Sequence, residues 1–324
     1  MKAPHPGMSP ALTVLTTLLD NGLRGSIVDQ DLDGIRRSRA QVFPAVPPFA
    51  WVTGALDRRV TTRTTRVPVR DGHEVPVRIH RPRADAGALP VVLWFHGGGW
   101  VQGNPTMYDP LCTHLTAEVG AVVVAPDYRK APEHPAPRPV QDVLDVAAWV
   151  VESAVELGVD ATRVAVAGDS AGGNLAAVVA QVWRDAGDSP IRHQALIYPA
   201  TDLTLSSPSL DEHAHAPILT KDAVLAFHRL YLDGHPQDDP LVSPLLGDLV
   251  GLPPALVQTA DLDPIRDDGI RYARALEAAG VPTRLTNYVG APHGFASFPG
   301  AYTGGRQHRA ELVGELRTHL HPDA

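Results

Sequence analysis

The spacing of hydrophobic residues changes twice along the chain. Before residue 55 the apolar residues are weakly patterned, and several of them recur near helical spacing, which predicts a small helical segment. From Val60 onwards apolar and polar residues alternate on either side of Asp71 and Gly72, a pair typical of tight hairpin turns. The sequence therefore predicts a β-hairpin at the start of the main sheet.

Beyond the hairpin, six short segments are rich in apolar residues. They alternate with stretches of helical composition at 139–157, 171–186 and 267–279. Strands that are apolar on both faces are typical of a parallel sheet covered by helices on both sides. We therefore predict a doubly wound α/β fold with a mostly parallel sheet. The six predicted strands are residues 91–95, 122–125, 164–167, 195–198, 255–258 and 284–289.

One interval, 201–240, is too long for a single connection between two strands. It contains a predicted helix that begins at Thr220 and places Val224, Phe227 and Tyr231 at helical spacing. We expect two segments to form a small helical cap over an α/β core. The cap segments are residues 1–55 and 201–240, and the core segments are residues 56–200 and 241–324.

The composition is that of an ordinary folded protein rather than a disordered or fibrous one. Of the 324 residues 44% are hydrophobic, and 28 Lys and Arg oppose 36 Asp and Glu, which gives a net charge of −8. That charge disfavours nucleic acids and anionic lipid surfaces as partners. The apolar stretch 11–19 is too short to cross a bilayer, and the single cysteine, Cys112, is expected to be a buried thiol. We expect a cytoplasmic protein that does not bind membranes.

The segment 168–172 reads Gly-Asp-Ser-Ala-Gly and lies between a predicted strand and a predicted helix. A serine on such a sharp turn has a strained backbone and presents its hydroxyl above the sheet, and the flanking glycines avoid clashes. Ser170 is therefore the candidate nucleophile. Its neighbour Asp169 is expected to hydrogen-bond nearby loops.

A serine hydroxyl needs a base to become a nucleophile, and the base needs a carboxylate to orient it. His293 follows the last predicted strand, and Asp263 follows the strand before it. Both positions lie where parallel α/β sheets place their functional sites. Asp263 is the preferred acid, but Asp261, Asp267 and Asp268 compete for that role.

The loop after the predicted strand 91–95 can supply donors for a negatively charged tetrahedral intermediate. It reads His-Gly-Gly-Gly-Trp at 96–100, so its backbone can approach a substrate closely and point N–H groups at it. The N–H of Ala171, directly after the candidate nucleophile, is the expected second partner.

On these motifs the chain resembles the hormone-sensitive-lipase-like group of α/β-hydrolases, the bacterial carboxylesterases. The resemblance extends from about residue 65 to the end. It implies an α/β-hydrolase fold with a helical cap, and such enzymes often form homodimers. The segments that carry it are residues 96–100, 127–134, 168–174, 263–269 and 293–295. The implied roles are Ser170 as nucleophile, Asp263 as acid, His293 as base, and the N–H groups of Gly98, Gly99 and Ala171 as oxyanion donors, with Gly97 a less certain donor.

Five aromatic residues near these motifs are candidates for lining the substrate pocket, although simple packing is the commoner role of such residues. Two His-x-His pairs, at 213–215 and 319–321, have a spacing that could ligate a metal, but neither has an accompanying Cys or carboxylate cluster. We therefore expect neither a metal nor another cofactor. The pocket candidates are Trp100, Tyr198, Phe227, Tyr231 and Phe295.

The sequence predicts a serine carboxylesterase that hydrolyses short- to medium-chain carboxylic esters through an acyl-enzyme on Ser170. The chain-length preference comes from the resemblance. Amide and lactone hydrolysis use the same mechanism, so they stay open as alternatives. A non-catalytic receptor for a small molecule on the same fold is the alternative from another class, and the intact set of Ser170, Asp263 and His293 argues against it. The expected partner is a small-molecule ester.

Overall fold

Eight strands form one sheet at the centre of the protein, and a computed structural model describes residues 7–19, 26–42, 44–84, 87–187 and 189–322. The strands are β1 (Val60–Pro68), β2 (Glu74–Pro82), β3 (Leu89–Phe95), β4 (Val122–Pro126), β5 (Val159–Asp169), β6 (Ile191–Ile197), β7 (Ala255–Leu262) and β8 (Thr283–Pro292). Their order is β1-β2-β4-β3-β5-β6-β7-β8. β2 is antiparallel to both β1 and β4, and the remaining neighbours are parallel. The predicted α/β fold with a mostly parallel sheet is confirmed.

The hairpin of β1 and β2 forms where the sequence predicts it. Its turn is closed by a hydrogen bond of 2.9 Å from the Val69 N–H to the His73 carbonyl oxygen. Gly72 has a φ of +82°, a left-handed conformation that glycine adopts without steric cost. Val67 and Val75 are fully buried, as the alternating pattern requires for one face of the hairpin.

The central strands are buried on both faces. In β3, Val91, Leu93 and Phe95 pack into the core on one side of the sheet, and Val92 and Trp94 pack into the core on the other side. All five side chains are fully buried. The continuous apolar run in the sequence therefore reflects helices on both faces of the sheet.

The helices are α1 (Pro10–Leu18), α2 (Leu32–Arg39), α3 (Ala50–Thr53), α4 (Asp109–Leu115), α5 (Arg138–Glu152), α6 (Ala154–Leu157), α7 (Ala171–Asp185), α8 (Ser209–Glu212), α9 (Lys221–Leu232), α10 (Arg266–Ala278) and α11 (Gly305–Leu320). The predicted helix at 139–157 is two helices, because the backbone leaves helical geometry at Ser153. The sequence patterns predict neither α4 nor α11. Helix α11 packs across β5, β6 and β7. Cys112, on α4, is fully buried, as expected.

The N-terminal segment and the insertion at 201–240 meet each other, because the short turn Ile27–Asp29 packs against α9. α2 is tied to the core by Arg39, which donates a hydrogen bond of 2.7 Å to the Val101 carbonyl oxygen and pairs with Glu133 at 2.7 Å. These contacts support the division into cap and core as a proposal. Within the described ranges, none of the helices has the length and apolarity needed to span a membrane.

Candidate active site

Ser170 lies on the tight turn between β5 and α7. Its φ of +55° and ψ of −120° are values that residues with a side chain rarely adopt. A Cβ at Gly172 would lie 2.0 Å from the carbonyl oxygen of Phe95, and a Cβ at Gly168 would lie 2.4 Å from that of Gly172. The glycines on both sides of the serine are therefore required because the backbone of the turn packs directly against itself and against β3.

Asp263 and His293 reach Ser170 from the ends of β7 and β8. The Nε2 atom of His293 lies 2.9 Å from the Ser170 Oγ, and its Nδ1 atom lies 2.7 Å from the Asp263 Oδ2. The other oxygen of Asp263, Oδ1, accepts a hydrogen bond of 3.0 Å from the Ile265 N–H. Asp263 is fully buried and His293 is 8% exposed. Hydrogen bonds thus connect a buried carboxylate, an imidazole and a hydroxyl in line.

The three other aspartates near this strand end contact different partners. Asp261 accepts a hydrogen bond of 3.0 Å from the Gly290 N–H, and Asp267 pairs with Arg266 at 2.9 Å. Asp268 accepts hydrogen bonds from the segment after β6. Of the four aspartates considered, Asp263 is the one that the structure places against the imidazole.

The glycine-rich loop after β3 turns beside Ser170. Gly98 has a φ of +121° and Gly99 a φ of +61°, both in the left-handed region that favours glycine. A Cβ at Gly98 would lie 2.3 Å from the Gln102 carbonyl oxygen, and a Cβ at Gly99 would lie 2.3 Å from the Phe227 ring. Within the described residues, the N–H groups of Gly98 and Gly99 donate to no protein acceptor. They are therefore available to a ligand oxygen.

Asp169 fixes the start of this loop. Its Oδ1 accepts the Gly97 N–H at 2.8 Å, and its Oδ2 accepts the hydroxyls of Tyr108 at 2.9 Å and Tyr198 at 3.4 Å. Burial raises the pKa of Asp169 to about 6, although these donors favour the charged form. The neighbour of the candidate nucleophile thus contacts nearby loops, as expected, and occupies the Gly97 N–H.

His96 opens the loop and is held in place by Tyr128. The two rings stack with centroids 4.3 Å apart, and the Tyr128 hydroxyl donates to the His96 carbonyl oxygen at 2.7 Å. Burial lowers the pKa of His96 to about 3, so the imidazole is neutral. Both residues are buried and neither lines the cavity beside Ser170, so this packing anchors the loop to the core.

A cavity of about 330 Å³ opens beside Ser170. Gly98, Gly99 and His293 line it together with that serine. Much of the remaining wall comes from the segments proposed as the cap. Apolar residues of that wall include Ile27, Leu203, Leu205, Leu219, Val224 and Phe227. The irregular loops that carry several of these residues have no sequence pattern that predicts a pocket.

The five aromatic candidates occupy two layers. Trp100 and Phe227 line the cavity. The other three lie behind this lining. Tyr231 stacks on Trp100 with ring centroids 4.2 Å apart, Tyr198 lies 4.7 Å from the site imidazole, and Phe295 packs edge-on against Tyr198 at 5.2 Å. Together their side chains contact the lining and the imidazole, and they do not line the cavity themselves.

Asp268, in the first turn of α10, lies at the cavity wall. Burial raises the pKa of its carboxyl to about 7, even though the Ser207 hydroxyl and the Asp202 N–H donate hydrogen bonds to it. The sequence analysis considers Asp268 only as an alternative to Asp263 for the role of the acid. Its contact with the segment after β6 depends on tertiary packing, which sequence spacing does not show.

Within the described residues, neither His-x-His pair brings both of its histidines to one group of potential metal ligands. His213 contacts an arginine of α10, and the Nε2 atom of His321 lies 2.9 Å from a backbone carbonyl oxygen. In the part of the chain that the structure describes, one group has suitable donor atoms within 4.8 Å of one another: His193, Glu315 and His319. These residues do not line the cavity beside the nucleophile turn.

The arrangement of the site and the sheet matches a known family. The sequence profile described as alpha/beta hydrolase fold matches residues 92–297, which contain Ser170, Asp263 and His293. The chain belongs to this family of α/β-hydrolases. The hydrolase also matches curated relatives over most of their length, and these relatives confirm the resemblance to the hormone-sensitive-lipase-like group.

Three relatives illustrate the similarity of the hydrolase to esterases. Carboxylesterase NlhH of Mycobacterium tuberculosis is 43% identical over 293 residues, which cover 84% of this chain and 91% of that protein. An ethyl acetate hydrolase of Pseudomonas putida is 37% identical over 277 residues, which cover 84% and 87%. The solved structure of a hyperthermophilic esterase from the archaeon Pyrobaculum calidifontis superimposes with a TM-score of 0.85 at 39% identity, covering 96% and 98%.

Proposed function

We propose that the protein is a serine carboxylesterase that cleaves short- to medium-chain carboxylic esters. The observation that carries this proposal is the line of hydrogen bonds from Asp263 through His293 to Ser170, at 2.7 and 2.9 Å, beside a cavity. The names of the similar proteins, which include a carboxylesterase and an ethyl acetate hydrolase, support an ester as the bond that is cleaved.

In the proposed reaction, His293 Nε2 takes the proton of Ser170 Oγ as that oxygen attacks the ester carbonyl carbon. Asp263 accepts a hydrogen bond from the Nδ1–H group and so holds the tautomer whose Nε2 is free to act as a base. It also stabilises the imidazolium that forms. His293 then protonates the departing alcohol, and a water activated by the same imidazole hydrolyses the acyl-enzyme.

The proposed oxyanion donors are the N–H groups of Gly98, Gly99 and Ala171. Within the described residues the two glycine N–H groups have no protein acceptor. Ala171 is the first residue of α7, where N–H groups lack intrahelical partners and the helix dipole favours negative charge. The Gly97 N–H is bound to Asp169 at 2.8 Å, so we leave it out of this set.

The size of the cavity supports a preference for small esters. Its volume of about 330 Å³ lies at the lower end of the roughly 300–1,000 Å³ of small-molecule pockets. Phe227 of α9 packs directly over Gly99 and limits the space beside the proposed oxyanion donors. A long acyl chain would need the wall of the cavity to move.

The proposal is tested by initial rates on p-nitrophenyl esters from acetate to palmitate. We expect the highest rates at short acyl chains, a loss on the order of 10⁶ in kcat for Ser170→Ala, and wild-type rates for the control Ser153→Ala, between α5 and α6. A folded wild type that hydrolyses none of these esters contradicts the proposal. Binding without turnover would then favour a receptor, and turnover of anilides or lactones alone would favour an amide or lactone hydrolase.

A further inference from the structure

We propose that this hydrolase has a binding site for a divalent transition-metal ion of the zinc type, formed by His193, Glu315 and His319. The first residue lies on β6, and the other two lie on α11. One donor atom from each comes within 4.8 Å of the others. Two imidazoles and one carboxylate are a donor set that zinc accepts in proteins. The site does not depend on the proposed esterase activity.

The first observation concerns the polar atoms of His193. Its side chain is fully buried, and among the described residues neither ring nitrogen has a partner at hydrogen-bond geometry. Such unpartnered buried groups are uncommon in folded proteins and call for an explanation. A metal ion would provide the partner that one nitrogen lacks.

The second observation concerns the two ligands on the helix. Glu315 and His319 lie one turn apart and share a face of α11, and the Nε2 of His319 is 3.7 Å from the Oε2 of Glu315. Arg284 binds the other oxygen, Oε1, at 3.2 Å, and so leaves Oε2 beside the histidine. The side chains of Glu315 and His319 are 21% and 27% exposed, so an ion can reach them from solvent.

One movement is required for all three residues to bind the same ion. The rings of His193 and His319 stack almost in parallel, at 9° and with centroids 4.5 Å apart. Two parallel rings cannot both direct a nitrogen at one ion, so His319 must rotate. Tetrahedral zinc with bonds of about 2.1 Å brings its ligand atoms to about 3.4 Å from one another. Because His319 is partly exposed near the end of α11, its ring can turn without repacking the core.

The position of the site predicts a structural role. The ion would join β6 to α11 on the side of the sheet that this helix covers. None of the three ligands lines the cavity beside Ser170. Metal binding should therefore raise the thermal stability of the protein and leave ester hydrolysis unchanged.

The test is calorimetric titration of the EDTA-treated, full-length protein with zinc chloride, combined with thermal unfolding. We expect one ion per chain and a higher Tm with zinc. His319→Ala and Glu315→Gln should each weaken binding on the order of 100-fold, because even the loss of an outer contact to a ligand costs about 10–100-fold. His215→Ala, which removes an exposed histidine between α8 and α9, is the matched control and should bind zinc as the wild type does.

Two results would overturn the site. One is the absence of saturable zinc binding to a folded wild type. The other is binding of unchanged affinity in both His319→Ala and Glu315→Gln, since the ion would then be held by other groups. Both variants change partly exposed side chains, and circular dichroism spectra that match the wild type will show that they fold.

Discussion

At the scale of single residues, the site depends on how completely its buried carboxylate is bound. Asp263 has one oxygen on the imidazole of His293 and the other on the Ile265 N–H, and it is fully buried. A carboxyl group is stable in such a buried position only when its oxygens accept hydrogen bonds. The same arrangement sets the direction of the imidazole ring and therefore the position of the base.

Replacing Asp263 with Asn is expected to keep the shape of the site and remove most of its activity. The amide would present its NH₂ group to Nδ1 and favour the wrong tautomer of the imidazole, as in other serine hydrolases, where kcat falls by about 10⁴. Steady-state kinetics on a short-chain ester will measure this loss. Asp261→Asn, beside the same strand end, should retain wild-type kcat, and the reverse result would assign the acid to Asp261.

Asp268 is expected to make the stability of the protein depend on pH. Its pKa of about 7 in the folded state is above the value of about 3.9 expected in the unfolded chain. The folded state therefore keeps a proton that the unfolded state releases, and the free energy of unfolding falls as pH rises between about 4 and 7. This loss ends once the folded carboxyl has ionised.

Asp268→Asn removes that titration. Relative to the wild type, the variant should gain up to about 4 kcal/mol of unfolding free energy between about pH 4 and pH 8, the equivalent of about three pKa units. Urea unfolding at several pH values will measure the difference. A difference between the two proteins that is constant with pH would show that Asp268 does not titrate in this range.

At the scale of elements, the shape of the glycine-rich loop depends on its close contacts with a neighbouring backbone segment and with the proposed cap. The glycine-rich loop lies between Gln102 on one side and Phe227 of α9 on the other. Gly98 and Gly99 have positive φ angles, and within the described residues their N–H groups have no protein acceptor. A side chain at Gly98 or Gly99 would clash with these neighbours, so the glycines are required by the site rather than by the sheet.

Gly99→Ala is expected to lower kcat by about 10²–10³. The added Cβ would lie 2.3 Å from the Phe227 ring at a φ of +61°, so the loop or α9 must shift and the proposed donors move with it. Gly72→Ala, in the hairpin turn, is the control, because it has a similar φ of +82° and no atom within 4 Å of the added Cβ. It should cost about 1 kcal/mol of stability and leave kcat unchanged, whereas equal kcat values for both variants would contradict the role of the loop.

Phe227→Ala is expected to extend the range of acyl chains. Removing the ring opens the wall beside Gly99, so the ratio of kcat/KM for octanoate to that for acetate should rise roughly tenfold. The control is Leu225→Ala, on the exposed side of α9, which should leave the ratio unchanged. An unchanged ratio in Phe227→Ala would show that another residue limits the acyl chain.

Elements with a regular hydrophobic pattern could be predicted from the sequence, and others could not. β3 is apolar throughout and the hairpin alternates around Gly72, so both were visible. α11 was not predicted, although Leu312, Leu316 and Leu320 are buried at four-residue spacing. The break between α5 and α6 results from the local backbone geometry at Ser153, which no hydrophobic pattern predicts.

At the scale of the whole molecule, the sheet brings together residues that are distant in sequence. The carboxyl ends of β5, β7 and β8 carry Ser170, Asp263 and His293, and β3 leads into the glycine-rich loop. The order of the parallel strands places these ends along one edge. Residues of the proposed cap then line part of the cavity at that edge.

The predictability of the site follows from the same division. Residues at the ends of strands could be proposed for the site from the sequence because motif, order and strand pattern agree at Ser170 and His293. The sequence could not predict which aromatic residues line the cavity and which lie behind the lining. The burial of Tyr231 behind Trp100 depends on how α9 packs on the core. Cavity walls made of irregular loops therefore have to be seen in three dimensions.

The proposed mechanism is tested most directly by finding which residue an ester-like phosphonate modifies covalently. A p-nitrophenyl phosphonate, which traps activated serines covalently, should add one group per chain, and mass spectrometry of peptides should place it on Ser170. Ser170→Ala should not react, and His293→Ala should react far more slowly, because its serine has lost the base. An adduct on another residue, or an active wild type that forms no adduct, would contradict the account.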